Sequence, residues 1–524
     1  MRTGLLGVLV LLARVAPAQQ GPIRHRTTAE DLQLFSQVLN QIRVNHPDSI
    51  DPHDLFMAAI EGMVIAADPH SYVLAATRLA PAIDSAWRAG RLYPVPVDFF
   101  FSEGAPVVLS VAPGSAAARL DILPGDELVA VDSQPVQAGS AEELDISLAG
   151  RKGTTVRLTL VRRRLDGSLV TLDRTVKRER VEETTAVPIA IMLDRETGYI
   201  RVTTFANDKA AEDLHAALAR LEGRSMKRLI LDLRDNTGGS VAEATSVAGE
   251  FLPRGAIVYT AEFRKKPVGE KDTVRVGRSF WSHEKRYAVV VLINSGTASA
   301  SELIAGALQD HDRALIVGRP SFGKALLMRG LSLVDGSTMW LVVGHVRTPC
   351  GRLLQRQYRG ITRRDYVRLA GAERDTAGRP WCKTASGRRL YGGGGIYPDV
   401  LLPEPDPAPL WLARTREDDL PLKWVGGYVT SVGAALPSLD TLAARRSLPA
   451  EAVESFRALA AADGIEIPPG ADPLLQRTLL LTIAFAKWGE EGFYRLVAVT
   501  DPMVTAATQQ FGRAAAILNT LKEQ

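Results

Sequence analysis

The chain has 524 residues, too many for one typical hydrophobic core and enough for three or four domains of about 150 residues each. Its 46% hydrophobic and 23% charged residues are those of a folded globular chain, and a net charge of +4 is too small at this length to argue for a nucleic-acid partner. Two cysteines cannot build a zinc site by themselves, and no histidines stand in metal-ligand spacing such as His-Glu-x-x-His, so neither a metal nor a cofactor is expected.

Residues 1–18, MRTGLLGVLVLLARVAPA, combine Arg2, an apolar stretch and a small-residue Ala-Pro-Ala end, which reads as a secretory signal. Export to the periplasm or the extracellular space is therefore expected. Arg14 cuts the apolar stretch short of the roughly 20 residues a spanning helix needs, and no later run is long enough, so no spanning segment is expected after signal removal.

Residues 19–93 form a predicted helical region. Leu32, Phe35, Val38, Leu39 and Ile42, then Leu55, Ala58, Ile60 and Met63, recur at helical spacing on either side of Asp51-Pro52. The turn Asp68-Pro-His-Ser-Tyr72 closes the region, and a turn or capping role is expected for His70. Residues 94–182 then read as strands and turns. Within them VLSVAPGSAAARLDILPGDELVAVDSQPV resembles a PDZ domain: a strand, a small-residue helix start and a Pro-Gly-Asp turn in that family's order. PDZ domains take up an extended C-terminal peptide as an added strand. In place of the usual glycine-rich carboxylate loop this chain has Val97-Asp-Phe-Phe-Phe101.

From 183 to 403 strands and helices alternate, which predicts an α/β core with helices covering a sheet. Strands are expected at Gly198–Phe205, Arg228–Leu233, Tyr287–Ile293 and Ala314–Val317, and helices at Lys209–Leu221, Val241–Phe251 and Ser299–Gln309. Residues 404–524 are predicted to be mostly helical from Leu448 to Leu521, with Phe485–Phe493 as a loop between helices. Between Arg352 and Arg389 ten arginines and Lys383 outnumber Asp365, Glu373 and Asp375, and a solvated loop face is expected there.

The stretch Asn294-Ser-Gly-Thr-Ala-Ser-Ala-Ser-Glu-Leu303 sets small hydroxyl residues at a strand-to-helix junction. Ser299 and Glu302 fit a capping box, and a hydroxyl at a helix N-terminus also fits a nucleophile, since free N–H groups there would stabilise an adjacent oxyanion. Downstream, Gly318-Arg-Pro-Ser-Phe-Gly-Lys-Ala325 matches a phosphate-binding loop except at its last position, where Ala325 stands instead of Ser or Thr. A strand and hairpin follow it rather than a helix, so nucleotide binding is not expected. Lys324 stands 25 residues after Ser299, and a buried lysine can serve as base to a serine. Ser282-His-Glu-Lys285 also spells Ser-x-x-Lys, but no companion motif accompanies it.

NSGTASASELIAGALQDHDRALIVGRPSFGKA resembles the catalytic segment of the carboxyl-terminal processing proteases. DPHSY, LILDLRDNTGG, DGSTMWLVV, TPCGR and GGGGIYPDV extend the likeness over most of the chain. The resemblance implies a core like that of crotonase and the Clp protease, and a serine endopeptidase cleaving near C-termini through an acyl-enzyme. Ser299 would be the nucleophile and Lys324 the general base, with Gly238, Gly239 and Ala300 at the oxyanion hole. The partners it implies are proteins or peptides with accessible C-terminal tails, and the oligomeric state stays open. Many members carry a glutamine four residues after the lysine, where this chain has Met328. The alternative is a non-catalytic ligand-binding protein on the same fold. Cys350 and Cys382 could pair in an oxidising compartment, and their spacing leaves that open.

Overall fold

The computed structural model describes residues 26–522 apart from positions within 75–88 and at 103, 139, 182–184, 267–271, 278–284, 373–374 and 404–406. The signal segment 1–18 and Ser282 to Glu284 of the Ser-x-x-Lys match lie outside the described residues. The chain divides into two compact units, Met1–Ala67 and Asp68–Gln524.

In the first unit the helical spacing is realised as Thr28–Asn45 and Pro52–Ala67. A capping box starts the first helix: the Thr27 hydroxyl accepts from the Glu30 N–H at 3.3 Å, and Glu30 accepts from the Thr27 N–H at 2.8 Å. Proline opens the second, where its missing N–H costs nothing.

The centre of the second unit is a six-stranded sheet in the order Val400–Leu401, Leu315–Gly318, Ala288–Ile293, Arg228–Asp232, Thr197–Arg201, Ile189–Met192. All pairs are parallel except the last. Helices cover both faces, which explains why these strands read as unbroken apolar runs rather than alternating ones. Ala210–Glu222, Val241–Ala248 and Ala300–Asp310 bury Leu214, Leu218, Val247, Ile304 and Leu308 on one face. Val504, Ala507, Phe511 and Ala514 of the C-terminal helices pack against Tyr199, Ile230, Val290 and Leu315 on the other.

A second sheet carries Thr338–Arg347 between Tyr72–Leu74 and Ile257–Phe263, with Leu326–Ser332 as its hairpin partner, so the hairpin expected after Lys324 is present. The strand-rich segment after residue 94 is a separate antiparallel sheet with the helix Ala141–Leu148, around Val108, Leu128, Leu144, Leu158 and Leu160. Val97–Ser102 is an edge strand of that sheet, and its Val97 and Phe99 point into the core.

Three expectations are corrected. Phe485–Phe493 is not a loop: Asp472–Thr500 runs through it and kinks at Gly489, whose φ of 59° only glycine adopts at little cost. Helical structure begins well before Leu448, at Leu410–Glu417 and Leu420–Val432, where the glycines Gly426 and Gly427 allow close approach to Pro124 and Arg163. The arginine-rich segment contains the helix Arg363–Ala372, which buries Tyr366 and Ala370. Cys350 and Cys382 form a disulfide with Cα atoms 6.3 Å apart. No helix among the described residues is long and apolar enough to cross a membrane.

Candidate active site

The parallel strands end at the same edge of the central sheet, and the loops leaving them carry the candidate residues, as ligand sites in open α/β sheets do. After Ala288–Ile293 the chain turns through Asn294–Ala298 into the helix Ala300–Asp310, and Ser299 is its N-cap. Ser299 has φ 56° and ψ −118°, a conformation that glycine normally fills and that costs a serine of order 1–3 kcal/mol. Of the three serines in this stretch, Ser301 is buried and donates to the Asn236 carbonyl at 2.9 Å. Ser299 stands half-buried at the strained position, and Ser295 half-buried in the turn before it.

Glu302, in capping-box register with Ser299, does more than cap. Fully buried, its carboxylate accepts four hydrogen bonds: Oε2 from the N–H groups of Ser299 at 2.8 Å and Lys324 at 2.9 Å, and Oε1 from the Ser321 hydroxyl at 2.5 Å and the Gly323 N–H at 2.8 Å. The Glu302 N–H itself goes to the Ser299 carbonyl at 2.9 Å. One carboxylate oxygen thus spans the two residues that stand 25 apart in sequence. Burial pushes its carboxyl up, and the four donors oppose that.

Lys324 is half-buried. Burial holds its ammonium below the ordinary lysine value, and Arg363 acts in the same direction against Glu302 and Asp68. The peptide groups on either side of it are tied as well. The Gly323 carbonyl accepts from Arg356 N–H at 2.9 Å and from the Tyr366 hydroxyl at 2.5 Å, and the Ala325 N–H donates to Gln355 Oε1 at 2.9 Å.

The turn Asn236–Gly239 faces the start of the same helix. Ala298 N–H donates to the Asn236 carbonyl at 3.0 Å, and Asp235 and Asn294 exchange two bonds of 2.9 and 2.7 Å. A Cβ on Gly238 would lie 2.8 Å from Ala300 N and 2.9 Å from Ser299 Cβ, so the glycine lets this turn approach the candidate nucleophile. The two glycines differ. Gly238 N–H donates to Asn236 Oδ1 at 2.9 Å, and the Gly238 carbonyl accepts from Phe205 N–H at 3.0 Å. In a trans peptide the N–H points opposite to the carbonyl, so Gly239 N–H is directed away from Phe205. Ala300 is the first helical residue, with an N–H that α-helical bonding leaves over.

The structure therefore brings Ser299, Lys324, Gly238, Gly239 and Ala300 into one region. Sequence reasoning missed Gln355 and Tyr366 and gave Glu302 only its capping role. The signal for Glu302 was its position three residues after Ser299, whereas nothing local marks Gln355 or Tyr366. Met328 lies on Leu326–Ser332 opposite Val342.

Residues 196–366 match the model of Peptidase family S41 and residues 107–162 that of a PDZ domain. A carboxy-terminal-processing protease of Bartonella bacilliformis is 29% identical over 334 residues, covering 63% of this chain and 74% of that protein. Carboxyl-terminal-processing peptidase 2, chloroplastic, of Arabidopsis thaliana is 35% identical over 257 residues, 47% of this chain and 48% of its own length. The carboxy-terminal processing protease CtpA of Bacillus subtilis is 27% identical over 323 residues, covering 62% of this chain and 66% of its own. The chain thus spans between about half and three quarters of the length of these relatives.

Proposed function

We propose that the chain, which matches the S41 peptidase and PDZ models and resembles carboxyl-terminal processing proteases, is an exported serine endopeptidase of that kind, cutting proteins or peptides near their C-termini with a Ser299–Lys324 dyad. Neutral Lys324 takes the Ser299 proton as Oγ attacks the peptide carbonyl, then passes it to the leaving amine; a water activated by the same lysine hydrolyses the acyl-enzyme. The N–H groups of Ala300 and Gly239 are the oxyanion donors in this reading, and Gly238 supplies clearance rather than a donor.

The observation that carries it is the Glu302 carboxylate, whose single Oε2 accepts from both Ser299 and Lys324. A carboxylate with only a capping job has no need of the second partner. The depressed lysine is the supporting one, because a base must be available in neutral form near the working pH. On this reading 94–182 is the PDZ domain, 183–403 a crotonase-like and Clp-like protease core, and 404–524 a helical region packed on it.

Cleavage of an unfolded protein such as casein by the mature chain, beside Ser299→Ala and Lys324→Ala, tests the proposal between pH 6 and 10. Activity should vanish in both variants, and in the parent it should rise with pH as one base deprotonates, with a midpoint below the ordinary lysine value. A parent chain as inert as its variants, with its PDZ domain deleted too, refutes it.

A further inference from the structure

His70 is a half-buried titratable group with no part in the mechanism above. Its turn explains only its backbone: Asp68 Oδ1 accepts from His70 N–H at 2.8 Å and Ser71 N–H at 2.7 Å, and Asp68 Oδ2 from the Ser71 hydroxyl at 2.6 Å. The Ser71 hydroxyl in turn accepts from Val342 N–H at 3.0 Å, pinning the turn to the sheet that bears Lys324's hairpin. A turn of this kind would form with any residue at position 70, so the imidazole calls for another account.

The ring lies in an aromatic box. Tyr366 meets it edge-on at 4.7 Å and 88°, Tyr358 at 6.0 Å and 83°, and Phe322 at 6.3 Å and 73°. His70 Nε2 packs 3.5 Å from Gln355 Nε2, which donates one of its two hydrogens to the Arg356 carbonyl at 3.0 Å. Gln355 Nε2 also donates to the Tyr366 hydroxyl at 2.9 Å. The two residues that touch His70 and each other are the ones that hold the Gly323 carbonyl and the Ala325 N–H.

We propose that His70 is a positioning residue for Lys324: through Gln355 and Tyr366 it fixes the peptide groups flanking the lysine, and its ring closes that side of the pocket to water. The inference rests on Lys324 being the base. The groups that face the ring electrostatically are Lys324, Asp68 and Arg363. Burial, with Lys324 and Arg363 outweighing Asp68, holds the imidazole down to about 4, so it is uncharged wherever the lysine works. An uncharged ring excludes water from Lys324 without adding a charge, and burial is the leading reason the lysine is depressed.

The test is kcat and KM against pH for the full mature chain, for His70→Ala and His70→Phe, with Lys324→Ala as control. In His70→Ala water enters: kcat at pH 7.5 should fall about tenfold with KM within about twofold, and the basic limb of the rate should move to higher pH, so that the deficit shrinks towards pH 10. In His70→Phe, which keeps an uncharged aromatic ring against Tyr366 and Gln355, kcat and the limb should both stay near the parent's. Parent-like kcat and limb in both variants, or a change in thermal stability alone, overturns the proposal while an inactive Lys324→Ala keeps the dyad. An active Lys324→Ala overturns the dyad and this proposal together.

Discussion

Replacing Glu302 by glutamine tests the central geometric feature of the site. The side chain keeps its shape but has one acceptor oxygen where the carboxylate had two. Its best placement puts that oxygen on the Oε2 side, where it still serves Ser299 and Lys324 N–H, and its NH2 on the Oε1 side. There the Ser321 hydroxyl can rotate to accept, but the Gly323 N–H cannot, and it faces another donor. One buried donor left unmade costs about 1–3 kcal/mol. Glu302→Ala strips all three backbone donors, about 3–9 kcal/mol on the same scale, comparable to the whole stability of a domain, so the glutamine variant is the informative one. Urea unfolding should show an unfolding free energy lowered by about 1–3 kcal/mol, seen as a lower midpoint with an unchanged slope. The electrostatic consequence is separate: Glu302 is the leading influence raising Lys324, so neutralising it should move the basic limb of the casein rate to lower pH, opposite to His70→Ala. A Glu302→Gln chain as stable as the parent, with an unshifted limb, would show that the carboxylate does not join the two residues energetically.

Gly239→Ala should lose nearly all activity, assayed on casein, because φ is 143° there and a Cβ would lie 2.2 Å from the Phe205 carbonyl carbon; a fully active alanine variant refutes the assigned turn. Cys350→Ser with Cys382→Ser opens a 32-residue loop, which by loop-closure entropy should cost about 3.7 kcal/mol, read by denaturant unfolding against the oxidised chain; a loss under about 1 kcal/mol would contradict it. The ordinary imidazole value of 6.5 falls to about 4 for His70 in the fold, so the unfolded chain takes up that proton first as pH drops. The stability contribution is fully present above pH 6.5 and lost towards pH 4. Thermal midpoints between pH 7 and 4 should therefore fall more steeply in the parent than in His70→Phe, and equal slopes would exclude His70 as a source of acid sensitivity.

Much of the architecture is written in local pattern. The runs at Arg228–Asp232 and Ala288–Ile293 are continuous rather than alternating because both faces of their sheet are covered, and that is readable without coordinates. So is the serine at a strand-to-helix junction with an acid three residues on, and a lysine 25 residues further along. Helices hidden in biased composition were less legible: Arg363–Ala372 has mostly charged exposed positions, and only Tyr366 and Ala370 mark its buried side. The stretch around Gly489 reads as a loop between helices because a glycine's φ cannot be known before the helices around it are packed.

The sequence alone determined which residue types the chemistry needs and how far apart they lie along the chain. Tertiary structure decided which groups meet. Residues 70, 302, 355 and 366 converge on 323–325 because parallel strands deliver their following loops to one edge, and a hairpin carries the lysine back beside them. It also decided that Gly238 gives clearance while Gly239 turns its N–H away from Phe205, since peptide orientation depends on the Phe205 strand alongside. Periodicity reports a residue's own element; a hydrogen bond across 20 to 300 residues of chain exists only once the core has fixed where both ends lie.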